Sequence, residues 1–150
     1  MKFSTDFQRT ASTTACLGSL TADATRARRL KTYDIICGSE ATPADAAILW
    51  TFRRCSAAGT STAVVPQNLD PADATTEYDA GENHSIEPTL TSAAILLNIA
   101  LNQRATFRWV AAPGGELTMP ATAANGFGIE TDTISTGTPV ITATVHSEEL

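Results

Sequence analysis

The C-terminal third of the chain alternates apolar and polar side chains almost without interruption, and that pattern restricts the fold more than any other feature. Residues 104–112 (RATFRWVAA) set Ala105, Phe107, Trp109 and Ala111 on one face, with Arg104, Thr106 and Arg108 on the other. A turn at Pro113-Gly114-Gly115 leads to Leu117 and Met119, and a second turn stands at Asn125-Gly126. Phe127, Ile129 and Thr131 then alternate with Glu130 and Asp132, and VITATVHS alternates to the end. A side-chain period of two is that of half-buried strands, with turn residues that tolerate positive φ between them.

Upstream, similar runs read as strands from Leu30 to Cys37, from Ala46 to Arg53 and from Thr60 to Val65. Residues 67–88 are acidic and rich in turn formers, which predicts a long loop with room for one short helix at 71–77, capped by Asp70. Residues 89–102 (TLTSAAILLNIALN) satisfy both a helical stripe and a strand alternation; the strand is preferred because its neighbours are strands. About eight strands with a turn roughly every ten residues predict an all-β protein: an antiparallel β-sandwich, jelly-roll-like, over residues 30–150. Residues 1–29 hold few large apolar side chains and read as an extended N-terminal arm that orders only on a partner.

Charge is sparse and uneven. Only 17% of residues are charged, below the usual quarter, and alanine and threonine make up about a third of the chain. The net charge is −6, yet eight of the ten basic residues precede residue 60, and eleven of the sixteen acidic ones follow it. An acidic body argues against nucleic acid as a partner. The basic residues of the first segment, Arg9, Arg26, Arg28, Arg29 and Lys31, are candidate contacts with an acidic neighbour. Arg108, on the face opposite Phe107 and Trp109, is a further candidate for pairing across a subunit boundary.

No pattern of catalytic or ligand residues stands out. Cys16, Cys37 and Cys55 form no CxxC pair and read as free buried thiols, with a Cys37–Cys55 bridge as the alternative. Neither histidine has recognisable catalytic partners, and no GxSxG or P-loop occurs. The cluster best suited to a metal, His84 with Asp79, Glu82 and Glu87, reads more simply as part of a solvated acidic loop. The expectation is therefore a non-enzymatic chain without cofactor, metal or small-molecule substrate. Its first residues lack the apolar core of a signal peptide, and its longest apolar run is too short to span a bilayer, so no membrane is expected.

The run RATFRWVAAPGGELTMPATAANGFGIE, with the closing VHSEEL, resembles the small virion structural proteins with which tailed bacteriophages decorate or cement their capsids, many of them jelly rolls. The resemblance is one of style over residues 30–149 and contains no diagnostic motif. It implies a homotrimer on the capsid surface, assembled in the host cytoplasm, with the major capsid protein as partner and the arm touching coat subunits. The rival reading is a carbohydrate-binding jelly roll with Trp50, Tyr78 or Trp109 as its sugar platform.

Overall fold

The computed structural model describes residues 1–150 and contains twelve strands and no helix. These are β1 (Lys2–Thr10), β2 (Gly18–Ala22), β3 (Leu30–Ala41), β4 (Ala47–Ala57), β5 (Thr60–Val64), β6 (Gln67–Asn68), β7 (Tyr78–Ile86), β8 (Thr89–Asn102), β9 (Phe107–Val110), β10 (Leu117–Met119), β11 (Gly126–Ile134) and β12 (Val140–Glu149). Every pairing is antiparallel. One sheet runs β10-β3-β12-β1-β6, with β9 also on β3; the other runs β5-β7-β2-β11-β4-β8.

The connectivity is that of a jelly roll. Strands β1 to β4 alternate between the two sheets, and each pairs with a strand from the far end of the chain: β1 with β12, β2 with β11, β3 with β9 and β10, and β4 with β8. The chain thus folds as one long hairpin rolled across two sheets. An excursion through β5, β6 and β7 widens both sheets beyond β1 and β2.

Alternation explains the core. On β12, Ile141, Ala143 and Val145 point inward between the outward residues Thr142 and Thr144. They meet Ile35 and Cys37 of the same sheet and Trp50, Phe52, Phe127 and Ile129 of the opposing one in a single cluster. Phe52 and Phe127 are tilted neighbours with ring centroids 6.2 Å apart. At Gly18 a Cβ atom would clash with the Phe7 ring of the opposing sheet, 2.2 Å from its nearest carbon, so glycine is what lets that ring pack there. Gly114 supplies the turn predicted after Pro113, at φ +79°.

The N-terminal segment corrects the sequence reading. It is no arm. β1 lies between β12 and β6, pairing with β12 from Lys2 to Thr10, and β2 lies between β7 and β11. Phe3, Thr5 and Phe7 are buried and alternate with exposed or half-buried Lys2, Ser4, Asp6 and Gln8. Two phenylalanines at the right spacing suffice, because the partner strands supply the backbone hydrogen bonds and the opposing sheet.

Two further expectations change. The predicted acidic loop at 67–88 contains β6 and the nine-residue strand β7, and residues 71–77 form no helix. Residues 89–102 are strand, and β9 follows in the other sheet, so Asn102-Gln103 crosses between the sheets. Cys37 and Cys55 stand on strands of different sheets, and all three thiols are free and buried. Burial pushes the Cys16 and Cys37 thiols up to about 12 and Cys55 to about 11, which leaves them protonated and unreactive at neutral pH.

Candidate interaction edge

The six basic residues singled out from the sequence do not form one patch. Arg9 stands opposite the core residue Ile141 and donates through Nη1 to the Cys16 carbonyl at 2.9 Å. Arg26 pairs with Glu77 at 3.0 Å. Arg28 reaches Glu149, a buried carboxylate, at 3.2 Å. That same carboxylate accepts hydrogen bonds from the Thr76 hydroxyl (2.5 Å) and the Glu77 amide (2.8 Å), so it ties the end of β12 to the segment before β7. Arg29 has an exposed side chain and accepts the Leu150 amide on its carbonyl. Lys31 faces Glu148 in the β3–β12 register.

Arg108 finds its acid within its own chain. Its Nε and Nη2 grip the two Asp34 oxygens at 3.0 and 2.7 Å, and His146 Nδ1 lies 3.2 Å from the same carboxylate. The arginine beside it, with help from His146, holds the Asp34 carboxyl below the usual carboxylate range. Arg108, Asp34 and His146 come from β9, β3 and β12, and the registers place all three on the outer face of one sheet. The opposite outer face carries a second cluster that the sequence reading missed. Arg53 of β4 pairs with Glu130 and Asp132 of β11, each at 2.5 Å, and Thr51 donates to Asp132 at 3.0 Å. Burial raises the Glu130 carboxyl despite the guanidinium beside it.

His84 is not a loop ligand. It is buried on β7, with Nε2 3.0 Å from the Ser19 hydroxyl and no partner for Nδ1. Burial lowers its pKa from the ordinary 6.5. No group of three or more His, Cys, Asp and Glu side chains gathers closely enough to hold a metal ion. A cleft of about 480 Å³ is lined by Asp6, Gln8, Glu82, Thr142 and Thr144. Both of its carboxylates are engaged, Asp6 by the Thr144 hydroxyl and Glu82 by the Gln8 amide.

The aromatics proposed as a sugar platform point the wrong way. Trp50 and Tyr78 are 1% and 3% exposed, and half-buried Trp109 packs against the core from the inner side of β9. Tyr78 spends its hydroxyl on the Arg28 carbonyl, 3.0 Å away.

What remains is an edge. A strand that ends a sheet leaves a row of N–H and C=O groups available to another strand, and proteins commonly shorten or charge such strands. Three of the four edges here are short: β5 has five residues, β6 has two, and β9 and β10 have four and three. The fourth is β8, with fourteen residues and no charged side chain, and its one pairing partner is β4. Ile95 is 44% exposed there. Buried Gln103 pins the end of β8: its amide donates to the Ala46 carbonyl, its Oε1 accepts from the Ala44 amide, and its Nε2 donates to the Thr136 carbonyl at 2.7 Å. The edge is therefore held in place at that corner. Its composition was visible in the sequence, but its position at the end of a sheet depends on pairings far apart in the chain.

Fold and surface define an antiparallel jelly-roll sandwich with one long neutral open edge. No family model, no curated protein and no solved structure matches the chain.

Proposed function

We propose that this chain is a non-enzymatic virion structural protein that binds the outside of a phage capsid and stabilises the shell, with the major capsid protein as its partner. The observation that carries the reading is the β8 edge, a long uncharged strand offered to another chain. Strand addition draws its affinity from main-chain hydrogen bonds, so it needs no catalytic or ligand-binding constellation. A protein that binds assembled coat and not dissociated subunits stabilises the shell by its binding free energy at each site, and many sites on one shell add up. Of the six basic residues, Arg9, Arg29 and Lys31 make no ion pair within the chain; Arg9 is held by the Cys16 carbonyl, so Arg29 and Lys31 are the first to consider as coat contacts.

The carbohydrate reading loses its platform, since the aromatics it requires are buried or turned inward. Co-sedimentation of the purified protein with mature shells, together with thermal disruption of shells with and without it, tests the proposal. Binding at a fixed stoichiometry with a raised disruption temperature is the expected result. Protein that stays in the supernatant and leaves the disruption temperature unchanged would overturn it.

A further inference from the structure

The β8 edge has a phase change within it. From Leu97 to Asn102 the even residues Asn98, Ala100 and Asn102 are exposed while Leu97, Ile99 and Leu101 are half-buried or buried. Before Leu96 the exposed residues include the odd ones, Thr89, Thr91, Ala93 and Ile95, with Leu90 and Ala94 half-buried. The switch falls at Leu96-Leu97, both half-buried, where the register on β4 slips between Phe52 and Arg53. A one-residue slip of this kind moves side chains to the opposite face.

That switch constrains what can pair with β8 along its length. Residues directly opposite in an antiparallel pair share a face. If β8 meets a copy of itself about a two-fold axis centred between Ile95 and Leu96, Ala93 faces Asn98 of the second copy, Thr91 faces Ala100, and Thr89 faces Asn102. All six are exposed. An axis centred on a single residue matches faces only within one half of the strand. Glu87 and Arg104, the nearest charged residues beyond the two ends, lie in the connections that flank β8, and Glu87 accepts the Cys16 amide at 2.8 Å. Between them there is no charge to repel, although the chain as a whole carries −6.

The geometry points to β8 as a self-pairing edge: two copies of this chain join antiparallel through β8, in the register centred between Ile95 and Leu96, and merge two six-stranded sheets into one of twelve. The contact is isologous and closes after two copies. It yields a dimer, where the phage resemblance implies a trimer, and in that dimer β8 is no longer open to coat protein, so shell binding by the dimer falls to other surface, Arg29 and Lys31 first.

Sedimentation velocity and light scattering on the full chain between roughly 1 and 100 μM decide the matter, a range that brackets ordinary dimer affinities. The expected mass is twice 15.7 kDa. A monomer throughout, or three copies, overturns the inference. Thr91→Lys with Ala100→Lys places like charges opposite each other twice and should weaken association by at least about tenfold. Thr91→Lys with Ala100→Glu places opposite charges there and should restore the dimer. Circular dichroism confirms that each variant is folded. A dimer that survives the double lysine variant, or one that the charge-matched variant fails to restore, overturns the assigned register. A folded monomer that still binds shells would sink this inference and leave the capsid proposal standing.

Discussion

β1 and β8 reverse what their compositions suggest. β1 is mostly polar, with two phenylalanines in nine residues, yet it sits inside its sheet with Phe3, Thr5 and Phe7 buried. β8 carries more apolar residues than any other strand, yet it ends its sheet and buries only Ile99. The difference shows that placement follows from pairing and facing. β1 has neighbours on both sides and a sheet beneath it, so a few apolar residues at the right spacing suffice. β8 has more apolar surface than its single neighbour and its inner face can cover. That surplus is what the proposed pairing would cover.

The strongest way to break this comparison is to truncate β1. Phe7→Ala removes a ring that fills the space above Gly18, and losses of this kind run to about 3–5 kcal/mol. Urea unfolding monitored by tryptophan fluorescence measures it. A change under about 1 kcal/mol would mean that β1 behaves as the detachable arm its composition suggests.

Ile99→Ala tests the inner side of β8. Ile99 is the one buried residue of that strand, and it lies opposite Trp50 on β4. At an edge the cavity collapses more readily than in the centre, so the loss should fall near the lower end of the range, about 2 kcal/mol. The same unfolding assay reads it. A loss equal to that of Phe7→Ala would erase the distinction between the two strands.

How much of this was legible depends on where the information lies. The C-terminal strands carry their alternation locally, and β9, β10, β11 and β12 follow it closely, although β9 is confined to Phe107–Val110. β1 reads as an arm because its large apolar residues are few and the segment around it keeps no sustained period; only the partner strands put Phe3, Thr5 and Phe7 on one buried face. β7 reads as loop because YDAGENHSI breaks the apolar pattern, and in the structure the strand bends at Asn83, which has a positive φ of 49°. It is a strand because β2 and β5 pair with it, which no local pattern reports. The ion pairs failed for the same reason. The alternation puts Arg108 on the outward face, but its acid, Asp34, lies on a strand that the register alone brings alongside.

The acid response of the interior separates the two sides of the molecule further. His84 is neutral in the fold because burial lowers its pKa, with Glu87 opposing that shift and Arg9 adding to it. The unfolded chain titrates near the ordinary 6.5, so below that value it binds protons that the folded state resists. Stability is therefore fully present above about 6.5 and declines as pH falls from there towards the folded-state value. Asp34 acts at lower pH. Its depressed pKa contributes stability that is present above the unfolded carboxylate value and lost as pH falls through the folded one. Thermal melts between pH 7.5 and 4.5 should show a gradual fall, and His84→Gln, which keeps a hydrogen-bonding group near Ser19, should flatten it. A fall of the same slope in that variant would remove His84 as its cause.

The smallest expected effect concerns the outer side of β8. Ala100 is exposed, and its neighbours there, Asn98 and Asn102, are polar and exposed too. If the free edge serves association and not folding, Ala100→Lys should change monomer stability by no more than about 0.5 kcal/mol, the usual range for surface positions. Urea unfolding at a concentration low enough to populate monomer isolates that term, because association would otherwise add a concentration-dependent contribution. The informative result is the contrast between the two readouts: little change in the monomer, beside any loss of association at higher concentration. A monomer destabilised by 2 kcal/mol or more, on the order of a core truncation, would instead make the outward face of β8 part of the fold's own packing. It would then have no surplus surface to offer a second chain.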